Sequence, residues 1–324
     1  MAILDKSLVP IHPLSLVPGY SPGTDVYLWN EERGSTVKYL GREQIVTEAA
    51  YQLFSSDPNQ KVFITHSSLD AYYEHLFSHL DEWIEEARVP RLLKTAVVAE
   101  CLHTLLQRGY SHRSLGHLIL ASWECAQRLV RYVPKIQMCG RELQRTLRHD
   151  SSYVSHAVNS AMYFYLIAKP LGFGSDALIE MCAGAMLHDV GKIDVGFFRT
   201  GSNNSFPASK DWTDRSTRTH PIDGFRRLCH ESNITETQLM MCYQHHERID
   251  GQGFPVGLLG NELIDATRIL AVVNRYDRLT SQRSNRQPIT RLAALRVMDS
   301  ERNTLLDSEY VRCMDRIMSK PSSN

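Results

Sequence analysis

Fourteen histidines are distributed over 324 residues, and six of them (His156, His188, His220, His230, His245 and His246) fall in one stretch. Imidazole is the commonest metal ligand and the natural acid or base at neutral pH, so this stretch outranks the rest of the chain for chemistry. Within it, His188-Asp189-Val190-Gly191-Lys192-Ile193-Asp194 follows a run in which Leu178, Met181, Cys182, Ala185 and Met186 recur at helical spacing. Gly191 is placed to stop that helix. Neighbouring helical residues point about 100° apart, so His188 could hold one cation while Asp189, with two oxygens, bridges two. Further donors come from His156 on a preceding helix, from His220-Pro221 opening the next, and from His245-His246-Glu247 ending another. Asp250-Gly251-Gln252-Gly253-Phe254-Pro255 follows at once.

Such a donor set suits phosphodiester hydrolysis. The anion repels nucleophiles, and two cations about 3.5–4 Å apart can bind a non-bridging oxygen while lowering the pKa of a shared water toward about 7. Neutral imidazoles keep the cluster positive, and a bridging carboxylate sets the spacing. Lys192, one turn from the ligands, would stabilise charge in the transition state.

The compound pattern, His-Asp-x-Gly-Lys, then His-Pro, then His-His-Glu-x-x-Asp-Gly-x-Gly-x-Pro, resembles the HD-GYP family, a branch of the HD-domain metal-dependent phosphohydrolases, over about 150–290. The resemblance implies metal ligands at His156, His188, Asp189, His220, His245 and His246, with Asn274 at the last ligand position and Asp189 and Lys192 as catalytic groups. It implies phosphate contacts from Lys192, and substrate contacts from Arg268 and the downstream Arg283. It further implies two divalent metal ions, iron or alternatively manganese, and hydrolysis of cyclic di-GMP by a hydroxide bridging them.

Three positions depart from the family pattern. Ser152 stands where the family usually has a metal-binding glutamate, which argues against a third ion. Asn274 replaces an aspartate and offers a carbonyl oxygen without charge, so the second ion should be held more loosely. Gly253-Phe254-Pro255 keeps the ring and turn of the name-giving Gly-Tyr-Pro but loses the phenol. The expected activity is therefore a metal-dependent cyclic di-GMP phosphodiesterase. The alternative is a metal-containing module, weak or inactive in catalysis, that binds cyclic di-GMP or contacts other signalling proteins through Gly253-Phe254-Pro255.

The elements that must position these groups follow from the remaining chain. Its length predicts two domains, placed at 1–135 (a small α/β domain with linker helices, given a regulatory role by position alone) and 136–324 (an all-helical HD-type domain). The fold class is thus mainly α. Runs at 26–29, 36–40 and 61–65 read as strands, with a helix from Gln44 to Phe54 between the last two. From Ser67, Leu69, Tyr72, Tyr73, Leu76, Phe77, Leu80, Trp83 and Ile84 form one helical stripe, with Ser67 and Asp70 as a capping pair. Helices at about 91–108, ending at Gly109, and 113–132, ending before Pro134, come next. After Gly140 the pattern is helical apart from a polar loop at about 200–213.

Lys+Arg and Asp+Glu balance at 36 each, which gives no basic field for DNA or RNA. Seven cysteines without a CxxC pair form neither a disulfide framework nor a zinc site. No stretch reaches the length and apolarity of a membrane helix, so a cytoplasmic location is expected. His230 reads as a surface residue and His149-Asp150 as a helix-start or loop feature. Asp194 and Glu247 either orient ligand histidines or make surface ion pairs, and Asp250 and Gly251 shape a turn. His66, His75, His79, His103, His112 and His117 lack ligand spacing.

Overall fold

The computed structural model describes residues 8–56, 60–193, 218–282 and 286–320. The chain forms two compact units, one of residues up to 108 with 132–138, the other of 109–131 with 139 onward. The described residues are mainly helical, with one small sheet near the amino terminus.

In the first unit, β1 (Leu8–Ile11), β2 (Val26–Asn30), β3 (Ser35–Leu40) and β4 (Val62–Thr65) form an antiparallel sheet in the order β1-β4-β2-β3. The first strand is absent from the sequence reading; it carries Pro10, and an edge position is where a sheet tolerates a proline. Helix α1 (Glu48–Ser56) begins later than expected. The Thr47 hydroxyl accepts from the amide of Ala50, and the Gln44 side chain closes a separate turn onto Gly41. In α2 (Leu69–Glu85) the stripe is buried except for Phe77, which is exposed and stacks on Tyr73. The expected capping pair does not form, because Ser67 lies in a preceding turn with its hydroxyl against Thr65.

Helices α3 (Arg91–Ser111) and α4 (Leu115–Ile136) each contribute to both units. Gly109 does not end α3. A Cβ there would lie 2.6 Å from the Cβ of Ala121, so glycine permits close approach of α4. Nor does Pro134 end α4; it falls in the last turn, where one lost backbone bond is tolerable.

The second unit continues with α5 (Gly140–Thr146), α6 (Tyr153–Ala168), α7 (Ser175–Leu187), α8 (His220–Leu228), α9 (Glu236–Gln244), α10 (Asp265–Thr280), α11 (Arg291–Ser300) and α12 (Ser308–Ser319). Helix α7 packs between α6 and α9, α10 lies on α6, and α8 lies on the turn at 190–192. Both α6 and α7 are buried on nearly all sides, which explains their apolar composition and fixes the polar side chains they carry. All seven cysteines are free thiols. Among the described residues no helix is long and apolar enough to cross a membrane.

Candidate metal centre

Six side chains converge inside the second unit. His156 comes from the first turn of α6, His188 and Asp189 from the end of α7, His220 from the start of α8, and His245 and His246 from the end of α9. All are buried. Their donor atoms fall into two groups, His156, His188 and Asp189 in one and Asp189, His220, His245 and His246 in the other, each with its atoms within 4.8 Å. Asp189 belongs to both.

The backbone around Asp189 is held by close contact. A Cβ on Gly191 would collide with the carbonyl oxygen of His220 and lie 2.6 Å from the amide nitrogen of Gly224, so only glycine lets α8 approach the His-Asp turn. Arg227 of α8 donates to the carbonyls of Val190 and Ile193 and ties the same two segments together. Gly191 does not stop α7, which ends at Leu187; it lies in the 190–192 turn and acts through packing.

The imidazoles are oriented from behind. Nδ1 of His188 donates to the carbonyl of Ala185 at 2.8 Å, and Nδ1 of His245 to that of Cys242 at 2.7 Å. Nδ1 of His156 lies 2.6 Å from Oδ2 of Asp277, a carboxylate with no exposed surface. These bonds leave Nε2 as the lone-pair atom of each neutral ring. Yet Nε2 of His156 and of His188 are only 3.3 Å apart. Two lone pairs at that distance repel, and a cation between them removes the conflict. Further contacts of the same kind join His220 to His245 at 3.0 Å and to His246 at 3.1 Å. Oδ1 of Asp189 sits 3.3 Å from Nε2 of both His220 and His245. The donor set therefore fits divalent cations of the imidazole-preferring kind.

Electrostatics agree. Burial pushes the pKa of His245 down to about 4, with His220 and Lys192 lowering it further against the pull of Asp189. Burial, then the neighbouring imidazoles, hold His246 well below the usual histidine range; burial likewise dominates at His188. For Asp189 burial works against ionisation, but the Lys192 ammonium and the facing imidazoles outweigh it and hold the carboxyl well below its ordinary range. His188, His245 and His246 are thus held neutral beside an ionised Asp189, the protonation states that metal binding requires.

The remaining expected residues are placed as follows. Lys192 sits in the 190–192 turn with Nζ 2.5 Å from Oδ2 of Asp189. Asn274 is buried on α10, one turn before Asp277, and its Oδ1 has no hydrogen-bond partner among the described residues. Arg268 pairs with Asp265 and Asp307 and lies over the Tyr310 ring, contacts that join α10 to α12 and not to the histidine cluster. Arg283 and Asp194 lie outside the described residues, as does the loop expected at 200–213. Ser152 is the N-cap of α6; its hydroxyl accepts from the amide of Ser155 and donates to that residue's Oγ.

Glu247 takes neither expected role. Its buried carboxylate accepts from the amides of Val256, Gly257 and Leu258 and so shapes the loop after Phe254-Pro255. Asp277 was missed as a functional residue. It is also held by Asn159 Nδ2 at 2.7 Å and Ser281 Oγ at 3.0 Å. The available signal was its i+3 spacing from Asn274, which places both on one face of α10.

A family model described as HD domain matches residues 142–310, more than half of the chain. The chain belongs to the HD-domain family. The chain is 31% identical over 157 residues to the cyclic di-GMP phosphodiesterase response regulator RpfG of Xanthomonas campestris, covering 47% of this chain and 39% of that protein. It is 27% identical over 164 residues to 3'3'-cGAMP-specific phosphodiesterase 3 of Vibrio cholerae, covering 50% and 35%. The chain therefore spans well under half the length of these curated relatives. Among solved structures, Bd1817, a HDG"Y"P protein from Bdellovibrio bacteriovorus, has the same fold, with a TM-score of 0.68 at 16% identity over 97% of this chain and 100% of that one. The family model and the phosphodiesterase relatives accord with the resemblance read from the motifs.

Proposed function

We propose that this protein is a metal-dependent phosphodiesterase whose substrate is cyclic di-GMP, acting in the cytoplasm, where that second messenger is turned over. The observation that carries the reading is the sharing of Asp189 between two groups of donors. In this reading His156, His188 and Asp189 hold one divalent ion, and Asp189, His220, His245 and His246 hold the other, with the buried Oδ1 of Asn274 as an additional neutral donor. Iron is the first choice of metal and manganese the second. When bound, such a pair supplies charge neutralisation at the phosphoryl group and a water acidified to near-neutral pKa.

The chain's own residues perform the rest. Lys192 keeps a positive charge beside the shared carboxylate, where it can offset charge on the phosphoryl oxygens as it grows. Asp277 and the carbonyls of Ala185 and Cys242 keep three imidazoles aimed inward. The use of Ser152 as a helix cap supports two ions over three. It also keeps the second reading in view, since the neutral Asn274 favours a binding module with slow turnover.

The test is incubation of protein reconstituted anaerobically with iron or with manganese against cyclic di-GMP and 3'3'-cGAMP, with products separated chromatographically. Linear dinucleotide from cyclic di-GMP is the expected outcome. Tight binding of the intact ring without product supports the binding module.

A further inference from the structure

Arg218 precedes the first histidine of α8 by two residues, and its guanidinium carbon lies 5.0 Å from the centroid of the Phe254 ring. The same ring stacks on the imidazole of His246, with centroids 4.7 Å apart and planes 23° from parallel. A buried donor histidine, an aromatic ring and an exposed arginine therefore form one contiguous set that runs from the donor cluster toward solvent. Both contacts use the ring of residue 254 and neither needs a phenol, so phenylalanine serves this arrangement as well as tyrosine would.

Arg218 also differs from other arginines of the unit. Arg248, Arg268 and Arg275 are committed to the carboxylates of Asp250, of Asp265 and Asp307, and of Glu301. Among the described residues no carboxylate pairs with Arg218. A guanidinium packed on an aromatic ring keeps its edge N–H groups available, and their planar fork matches two phosphate oxygens. Holding the side chain on the ring in advance also reduces the ordering cost of binding.

We propose that Arg218 is a phosphate-binding residue of this site and that the Phe254 ring is the positioning residue that holds it there. The ligand class is a phosphate ester or diester seated at the donor cluster. The inference rests on the proposed function only in taking the cluster to be a phosphate site.

The test is calorimetric titration of metal-loaded protein with inorganic phosphate and, separately, with cyclic di-GMP. Arg218→Ala should weaken phosphate binding roughly tenfold, the scale of a lost charged hydrogen bond. Phe254→Leu should cause a comparable loss, Phe254→Tyr should leave affinity unchanged, and Arg218→Ala with Phe254→Leu should be little worse than either alone. Metal content should stay unchanged throughout, which separates loss of the contact from loss of the cluster. Unchanged phosphate affinity in Arg218→Ala, losses that add in full, or no phosphate binding by the unsubstituted protein would each overturn the proposal. Should phosphate binding show the expected losses while cyclic di-GMP is neither bound nor cleaved, the substrate reading fails and the Arg218 assignment stands. Conversely, turnover of cyclic di-GMP with an unchanged KM in Arg218→Ala leaves the substrate reading standing and removes the assignment.

Discussion

Nδ1 of His156 lies 2.6 Å from Oδ2 of Asp277, across 121 residues of sequence, with neither side chain more than marginally exposed. The carboxylate fixes which nitrogen of the ring faces His188 and Asp189. Replacing Asp277 by asparagine keeps the shape but removes the charge that makes His156 a stronger ligand. Metal affinity should fall by about 10- to 100-fold. Competition against a chelator measures this directly, and unchanged affinity with an intact fold would remove Asp277 from the account.

Ser152 makes the opposite prediction. Its side chain caps α6, so Ser152→Ala should cost about 1 kcal/mol of stability. Metal stoichiometry should not change. Thermal unfolding and metal analysis on one preparation check both halves, and loss of an ion would show that the hydroxyl is a ligand after all.

Asn274→Asp adds a charge at a buried oxygen that has no hydrogen-bond partner among the described residues. In metal-loaded protein the change should raise occupancy of the weaker ion and raise kcat with it. Metal titration followed by turnover measurement tests this, and flat activity at higher occupancy would locate the weakness elsewhere. Without metal the same substitution should destabilise the fold, because a buried carboxylate is then left unpaired.

The depressed histidine pKa values fix the sign of a pH effect on the metal-free protein. An unfolded imidazole titrates near 6.5, whereas His245 in the fold titrates near 4 and His188 and His246 lie well below their ordinary range. Below about 6.5 the unfolded chain therefore binds more protons than the native one, and stability falls as pH falls. The loss continues until the native histidines protonate, and for His245 it amounts to roughly 1.5 kcal/mol between pH 6.5 and 5. Urea unfolding of the metal-free protein at pH 7.5 and pH 5 should show lower stability at the acid value. Equal or greater stability at pH 5 contradicts the burial of neutral imidazoles.

The sequence carried five of the six converging donors because the His-Asp, His-Pro and His-His segments sit at helix ends, where one residue type at one position sets direction; the sixth, His156, lies in the first turn of α6. It also carried the mainly helical class and three of the four strands. The supporting contacts were less accessible because they depend on distant partners. Nothing near Asp277 in sequence points to His156, and Arg268 resembles a ligand-facing cation until Asp307, 39 residues on, is seen to hold it. Local rules also misled where packing overrode them. Gly109 reads as a helix stop but serves a close helix contact, and Pro134 reads as a breaker but falls where α4 is ending anyway.

The most direct test of the central claim is metal stoichiometry and turnover measured together on the same samples of the unsubstituted protein and of His188→Ala. The shared carboxylate of Asp189 predicts two ions per chain with hydrolysis of cyclic di-GMP in the first sample, and loss of metal and of hydrolysis together in the second. Full turnover by His188→Ala, or by a protein stripped of metal, would contradict the account.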